Sequence, residues 1–161
     1  MKKIIRNKKL LKGVIIGVVI VLLVFIIFLF NGRKMVCTMT SDQSLSGYQL
    51  DTKYVIKYKG KYVTKVDITE IISSKDNEKL LTFEKNFNDQ YSYNKKTYGG
   101  YTYKVTNKNG KVTSKVTINY KVFNIEKFIE NNEAMKDYVK NNKMTISGAR
   151  EMYESTGATC K

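Results

Sequence analysis

The sequence predicts an α+β domain behind an N-terminal transmembrane helix, with an antiparallel sheet of two duplicated β-hairpins covered on one face by helices. Three observations predict this arrangement. An uninterrupted apolar run occupies residues 13–30. Two alternating hairpin patterns recur fifty residues apart, with KYVTKVDI at 61–68 and KVTSKVTI at 111–118. A helical pattern follows each hairpin and one more closes the chain, which gives the order hairpin–helix, hairpin–helix, C-terminal helix.

Residues 13–30 are expected to cross a membrane once. The run GVIIGVVIVLLVFIIFLF has no charge, and at about 1.5 Å per residue it is roughly 27 Å long, close to the roughly 30 Å of a hydrocarbon core. Six Lys or Arg residues precede the run and only Arg33 and Lys34 follow it closely, which keeps the N-terminus inside. No A-x-A-like cleavage pattern follows Phe30, so the run is interpreted as an uncleaved signal anchor.

The chain therefore divides into a basic cytoplasmic tail at 1–12, a transmembrane signal anchor at 13–30 and an extracytoplasmic α+β domain at 31–161. Its formal net charge is +15, and residues 1–34 supply +8, which leaves +7 for the remainder. This excess favours anionic lipid headgroups or wall polymers near a membrane. The lysines also fit a compositional bias, because lysine outnumbers arginine 26 to 3 and proline, tryptophan and histidine are absent. That bias is typical of an AT-rich bacterial coding sequence, and both interpretations stay open here.

The second hairpin pattern sets its own register. Apolar and polar residues alternate on both sides of the Asn-Gly pair at 109–110. A two-residue loop there pairs Tyr103 with Val116 and Tyr101 with Ile118, and all four side chains fall on one face. This register predicts a type I′ turn.

The first hairpin pattern needs one additional residue. Its two apolar stripes, on residues 50–58 and 62–68, would face opposite sides of the sheet if the loop had two residues. Three loop residues, 59–61, pair Tyr58 with Tyr62 and bring both stripes to one face. A β-bulge is therefore expected at this turn.

Helical periodicity follows each hairpin. The first helix carries apolar residues at spacings of three or four and has Ser74 as its expected N-cap. The second pattern begins after Asn124 and extends to Val139. The last helix begins near Ile146 and is expected to end near Gly157, because glycine suits the left-handed residue that closes a helix.

The two cysteines, Cys37 and Cys160, lie at opposite ends of the outer domain. Outside the membrane a disulfide between them is chemically reasonable. Two free thiols, or acylation of Cys37, are the alternatives. No metal site or other cofactor is predicted, because two cysteines without histidine are too few for a closed zinc shell.

Two stretches resemble the YehR-like bacterial lipoprotein domain, a group of surface proteins. They are YVIKYKGKYVTKVDITEII and GGYTYKVTNKNGKVTSKVTINY, followed by KFIE and MTISGAREMYESTGATC. The resemblance spans Gly47 to Thr159 and implies an α+β fold with an antiparallel sheet, without catalytic residues to transfer. This chain departs from the family pattern at its anchor, because small residues do not directly precede Cys37 and a predicted span takes the place of a lipid.

Enzymatic signals are nearly absent from the sequence. Without histidine there is no Ser-His-Asp, Cys-His or H-E-x-x-H site, and no phosphate-binding glycine loop occurs. The acid pairs Glu126/Glu130 and Glu130/Glu133 lie at helical spacing, where they could serve as acid and base. Acid pairs at this spacing far more often form a solvated helix face, so no enzyme is predicted.

Tyrosines and lysines cluster just before the second hairpin. Tyr93, Lys95, Lys96 and Tyr98 are expected on a loop beside two glycines. Tyrosine offers flat contact area with a hydrogen-bonding tip, which suits sugars or a partner protein. These four residues form the predicted binding site, with ordinary loop tyrosines as the alternative. Nucleic acid is not expected as a ligand, because the predicted topology places the domain outside the cell.

The sequence as a whole favours a non-catalytic, membrane-anchored binding or interaction module on the outer face of a bacterial cell membrane. Its expected partner is an envelope protein, an anionic wall polymer or the bilayer surface. Strand lysines, namely Lys53, Lys57, Lys65, Lys104 and Lys115, could carry the contact if their sheet face is solvated. The alternatives are a cell-envelope hydrolase or transferase that uses the paired acids, and an accessory subunit whose span packs against a larger membrane complex. The oligomeric state is not specified.

Overall fold

The computed structural model describes residues 32–161, of which Arg33–Lys161 form one compact unit. The predicted tail at 1–12 and the predicted span at 13–30 lie outside the described residues. Within residues 32–161, no helix combines the length and apolar character needed to cross a bilayer. This part of the chain is α+β, with an antiparallel sheet and helices, as the sequence predicts.

The large sheet has six strands, two more than the sequence predicts. Every neighbouring pair is antiparallel. The strands are β1 (Arg33–Gln43), β2 (Tyr48–Lys59), β3 (Tyr62–Ser73), β4 (Tyr101–Lys108), β5 (Lys111–Asn119) and β8 (Thr159–Cys160), in the order β4-β5-β3-β2-β1-β8. A separate small hairpin pairs β6 (Val139–Lys140) with β7 (Lys143–Met144). Within the large sheet the unexpected strands are β1 and β8, and the small hairpin is also absent from the prediction.

Strand β1 follows the two-residue period of a half-buried strand. Met35, Cys37 and Met39 point to the side that packs on the helices, and the first two are almost fully buried. On the alternate positions, Lys34 and Thr38 are exposed and Val36 is partly buried. The pattern is present in the sequence, but methionine and cysteine are weak indicators of a strand compared with β-branched residues.

The second hairpin has the predicted register. Tyr103 pairs with Val116 and Tyr101 with Ile118. At the turn, Asn109 and Gly110 have φ values of 55° and 70°. Positive φ at both central residues is the requirement of a type I′ turn.

The first hairpin contains the predicted bulge, but in β3 rather than in the turn. The turn has two residues, and Tyr58 pairs with Val63 instead of Tyr62. The register shifts between Lys57 and Tyr58, which makes Thr64 the additional residue. Its hydroxyl donates to the carbonyl of Lys57 at 3.1 Å. The bulge places Val63, Val66 and Ile68 on the same face as Tyr58, whereas Tyr62 pairs with Lys59 and leaves the predicted stripe.

The two hairpins meet through their repeated strands. Strand β3 pairs with β5, so that Val66 lies opposite Ile118 and Asp67 opposite Thr117. At an offset of fifty residues, Asp67 and Thr117 are equivalent positions of the repeat. The hairpins are therefore related by an approximate two-fold axis through this pair.

Three helices lie on the inner face of the sheet. They are α1 (Asn77–Tyr98), α2 (Ile125–Asn131) and α3 (Ile146–Ser155). The N-cap of α1 is Asp76, whose carboxylate accepts from the backbone amides of Glu78 and Lys79, so the prediction of Ser74 is wrong. The Ser74 hydroxyl instead donates to the carbonyl of Gly47 and accepts from the Asp76 amide.

The second helical pattern forms less helix than predicted. The helix begins after Asn124, as expected, and Asn124 is its N-cap, whose side chain accepts from the amide of Lys127. Helix α2 then ends at Asn131, and a 3-10 helix (Glu133–Tyr138) and β6 replace the expected continuation. Helix α3 ends near Gly157, whose φ of 93° confirms the predicted left-handed residue.

The core lies between the inner face and the helices. Ile56, Val66 and Val116 come from adjacent strands. Tyr91 of α1 and Tyr153 of α3 belong to the same core cluster. The ring of Tyr153 stacks on Tyr54 of β2 at 4.1 Å between centroids. This layer leaves the opposite side of the sheet, which we call the outer face, without a covering element among residues 32–161.

Candidate binding surface

The outer face consists of the alternate residues of β1 to β5 that point away from the helices. None of these positions is buried. Nine are lysines and three are aspartates, a formal excess of +6. The lysines are Lys34, Lys53, Lys57, Lys59, Lys65, Lys104, Lys108, Lys111 and Lys115, and the aspartates are Asp42, Asp51 and Asp67. The five lysines for which the sequence suggested contact thus share this solvated face.

The sheet registers place lysines directly opposite one another. Lys104 lies opposite Lys115, and Lys108 lies opposite Lys111. Opposed residues on one face have Cβ atoms about 4.5–5.5 Å apart, and like charges at that distance repel. In residues 32–161 no carboxylate forms an ion pair with any of these four ammonium groups. The repulsion therefore stays uncompensated within the described part of the chain.

A third opposed pair shows how such repulsion is relieved. Lys57 lies opposite Lys65, and Asp67 accepts from both, at 3.3 Å and 2.8 Å. Thr117 donates a further hydrogen bond to Asp67 at 2.6 Å. Partial burial would raise the pKa of Asp67, but the hydrogen bonds from Lys65, Thr117 and Lys57 outweigh it and lower the pKa below its ordinary value. An anion thus already occupies the space between one pair of lysines.

A shallow depression lies beside the uncompensated lysines. Its volume is about 360 Å³, and Lys104, Lys115, Thr102 and Thr117 line it together with Asp67. Threonine hydroxyls can donate to an anion that the two ammonium groups attract. The depression therefore offers charge and hydrogen-bond donors within a small area.

The tyrosine and lysine residues of the predicted site lie on helix α1, not on a loop. Tyr93, Lys95 and Lys96 are exposed, but Tyr98 is only 6 % exposed. Its ring packs edge-on against Phe128 at 5.3 Å, and its hydroxyl accepts from two asparagine side chains. Tyr98 is thus part of the core and offers little area to a ligand.

The two cysteines are joined. Cys37 and Cys160 are direct partners of β1 and β8, and their sulfur atoms lie at bonding distance. Both residues are buried. The bond closes a sequence separation of 123 residues and holds β8 against the sheet.

The acid pairs on the helical segments face solvent. Glu126, Glu130 and Glu133 are all exposed, and Glu126 accepts from the side chain of Asn142. Among residues 32–161, no group of three or more acidic or cysteine side chains is placed to hold a metal ion.

A polar cluster under α1 has no counterpart in the sequence interpretation. Glu70 points to the inner face, where its carboxylate accepts from the hydroxyls of Tyr91 and Ser114. Burial, and secondarily the Glu70 charge, raise the pKa of Tyr91 far above its ordinary value. An acid at an inward position of an alternating strand is the signal that could have revealed it.

Comparison with solved structures identifies the fold. The NMR structure of E. coli YehR matches with a TM-score of 0.52 at 16% identity, over 81% of this chain and 93% of that chain. The fold is YehR-like. An NMR structure of a protein from Streptococcus pneumoniae TIGR4 is also similar, with a TM-score of 0.48 at 16% identity, over 80% of this chain and 83% of that one. No protein-family model matches the sequence, and no curated protein shows significant similarity to it. The YehR-like fold accounts for the sheet and its helical cover, and it leaves the chemistry of the outer face to be argued from its own residues.

Proposed function

We propose that this chain is a non-catalytic, membrane-anchored module that binds an anionic polymer of the bacterial envelope through its outer face. The observation that carries the proposal is the pair of uncompensated lysine oppositions, Lys104/Lys115 and Lys108/Lys111. A phosphate between two ammonium groups replaces their repulsion with attraction, as Asp67 does for the third pair.

The shape of the surface supports an extended ligand. Lys53, Thr69, Lys115 and Lys104 form one row across β2, β3, β5 and β4. Strands lie about 4.8 Å apart, so the row extends over roughly 14 Å. A repeating anion can contact several ammonium groups along such a row, and multiple weak contacts add up to a useful affinity.

The anchor belongs to the proposal. The apolar run at 13–30 would hold the domain outside the membrane, where wall polymers lie. The state of Cys37 supports a protein anchor over a lipid anchor, because its sulfur is buried and joined to Cys160. A thiol in a disulfide is not free for acylation.

Inorganic polyphosphate is a suitable probe for the fragment 33–161, which forms a compact unit by itself. Titration calorimetry would compare the wild-type fragment with a triple variant, Lys53→Gln, Lys104→Gln and Lys115→Gln. Each lysine near an anionic surface contributes about 1 kcal/mol, so the triple variant should bind about a hundredfold more weakly. Raising the salt concentration should weaken the binding of polyphosphate by the wild-type fragment, because salt screens exposed charges.

The matched control removes three lysines that lie away from the outer face, as Lys121→Gln, Lys127→Gln and Lys136→Gln. These residues are also exposed, so both triple variants lose the same charge. The control should keep most of the affinity if the outer face is the site. Equal loss in both variants would indicate non-specific attraction to net charge, and an unaffected outer-face variant would reject the proposal.

A further inference from the structure

One end of the sheet carries a group of cations outside the opposed lysine pairs and the lysine row on which the outer-face proposal rests. Strand β1 begins there with Arg33 and Lys34, and Arg33 lies opposite Tyr58 near the end of β2. The turn to β3 follows, with Lys59 before it and Lys61 within it. We call this region the anchor-proximal end. Its four cationic side chains are exposed.

The small β6–β7 hairpin adds a further lysine to this end. Ile146, just beyond the hairpin, donates its amide to the carbonyl of Lys61 at 2.9 Å, and Thr145 forms a β-bridge with Tyr62. The ammonium groups of Lys61 and Lys143 lie 5.4 Å and 5.5 Å from the centroid of the Tyr62 ring. Two cations therefore converge on one aromatic ring, which attracts both.

These two ammonium groups have no carboxylate partner within the described residues. The acidic side chains nearby either have other partners or lie on the helical side of the sheet. Asp67 is held by outer-face lysines, and Glu126 accepts from the β6–β7 turn. Glu151 and Glu154 line a groove with Tyr58 on the helical side, and Glu154 pairs with an arginine of its own helix. The anchor-proximal end thus keeps a positive surface that a phosphate could enter.

Chain length limits how far this end can lie from the membrane. The apolar run ends at Phe30, and Arg33 begins β1 three residues later. Consecutive Cα atoms are about 3.8 Å apart, so the connection spans at most about 11 Å. The polar headgroup layer on one side of a bilayer is roughly 5–8 Å thick. A chain anchored by residues 13–30 therefore carries these cations within reach of the headgroups.

We propose that the anchor-proximal end docks on the anionic phosphate headgroups of the bilayer, with Lys61 and Lys143 as its main contacts. The inference rests on the anchored topology proposed above. Strand β1 has 11 residues, or roughly 36 Å at about 3.3 Å per residue. Docking at its first residue would place the strand ends, rather than either face of the sheet, against the headgroups.

A single tryptophan can report this contact, because the chain has none. Tyr62→Trp keeps an aromatic ring between the two lysines. The full chain would be reconstituted in vesicles of phosphatidylcholine alone or with phosphatidylglycerol, both containing a lipid with a quencher on its headgroup. We expect strong quenching in the vesicles with phosphatidylglycerol and weaker quenching in the others. High salt should reduce the difference, because salt screens the attraction.

The charge variants decide the role of the two lysines. Lys61→Gln with Lys143→Gln should lower the ratio of docked to undocked chain about thirtyfold, on the basis of about 1 kcal/mol for each lysine. The control, Lys104→Gln with Lys115→Gln, removes the same charge from the outer face and should leave quenching unchanged. Equal quenching in both lipids, no effect of the first pair, or equal loss in the control would overturn the proposal.

A second measurement avoids any dependence on the folding of the Tyr62→Trp variant. In the wild-type chain, acylation of lysines followed by mass spectrometry should show slower modification of Lys61 and Lys143 in phosphatidylglycerol vesicles, with Lys104 unchanged. Unchanged rates at all three would overturn the docking.

Two further outcomes separate this proposal from the previous one. A full chain that does not float with vesicles would overturn the anchor and the docking, but not polymer binding by the fragment. If the Lys61/Lys143 variant lost polyphosphate binding without any change in lipid quenching, these lysines would belong to the polymer site and the docking would be rejected.

Discussion

Thr117 donates a 2.6 Å hydrogen bond to the carboxylate of Asp67, and the two residues are equivalent positions of the sequence repeat. They meet on the approximate two-fold axis where β3 pairs with β5. Lys57 and Lys65 complete the cluster on the β2–β3 side. The two copies of the repeat thus carry different side chains at this position, and the hydrogen bond between them links the two hairpins.

Asp67→Asn should lower stability at neutral pH and have no effect in strong acid. The folded-state pKa of Asp67 is lowered, so its stabilisation is present above the unfolded value of about 3.9 and is lost as the pH falls through the folded value. About a third of the side chain is exposed, so we expect less than about 1 kcal/mol at pH 7. Urea unfolding of the fragment 33–161 at pH 7 and pH 2 measures this difference.

The comparison variant is Asp89→Asn, which removes an exposed partner of Lys85 on α1. It should change stability less than Asp67→Asn. If Asp67→Asn were equally destabilising at both pH values, packing rather than charge would explain its role. The same substitution should also strengthen polyphosphate binding, because it removes a negative charge beside the depression on the outer face.

Tyr91→Phe should destabilise the fold by about 1–2 kcal/mol. The substitution removes a hydroxyl that donates to Glu70 and leaves a partly buried carboxylate with one donor fewer. Tyr93→Phe, on the exposed side of the same helix, should have little effect. Denaturant unfolding of both variants gives the comparison. Equal stability of the Tyr91 variant and the wild type would show that the contact makes no net contribution to stability.

The free energy of unfolding should decrease as the pH rises above about 10. Burial, with smaller contributions from neighbouring groups, raises the pKa of Tyr101 to about 12 and raises those of Tyr54 and Tyr153. A raised folded-state pKa gives stability that is complete below the unfolded value of about 10 and is lost as the pH rises toward the folded value. Spectrophotometric titration should therefore show fewer than the chain's 12 tyrosines ionising near pH 10 in the folded state. Ionisation of all of them near pH 10 in the folded protein would contradict the buried positions.

Reduction of Cys37–Cys160 should lower the free energy of unfolding by about 4–5 kcal/mol on the chain-entropy view, because the bond closes a loop of more than one hundred residues. The measurement is urea unfolding with and without reductant. The double variant Cys37→Ala with Cys160→Ala should behave like the reduced chain and should not respond to reductant. Identical curves for oxidised and reduced wild type would show that β8 is held by its other contacts.

The elements predicted from the sequence are those with strong local signals. The Asn109–Gly110 turn, the alternation around it and the start of a helix after Asn124 depend on neighbouring residues, and the structure confirms them. Strand β8 has only two residues, and its pairing with β1 depends on a contact from the far end of the chain. Such a strand carries no periodic signal.

The candidate binding site was also predictable only where it depends on neighbouring residues in the sequence. The sequence indicated which strand lysines would share a face, because alternation is local. It did not indicate that Lys104 would face Lys115 without a carboxylate between them, since that depends on the sheet register and on the position of Asp67. The prediction of a loop at Tyr98 is wrong because α1 continues through the polar run before it and ends only at Gly99, whose φ is 65°.

The covalent link between β1 and β8 also determines what happens when the chain is cut. A protease that cleaves one peptide bond between Cys37 and Cys160 produces two fragments that remain joined through sulfur. Such a nicked molecule would migrate as two smaller bands only after a thiol reagent is added. A single cut in an exposed loop between the two cysteines therefore leaves both fragments in one covalently joined molecule.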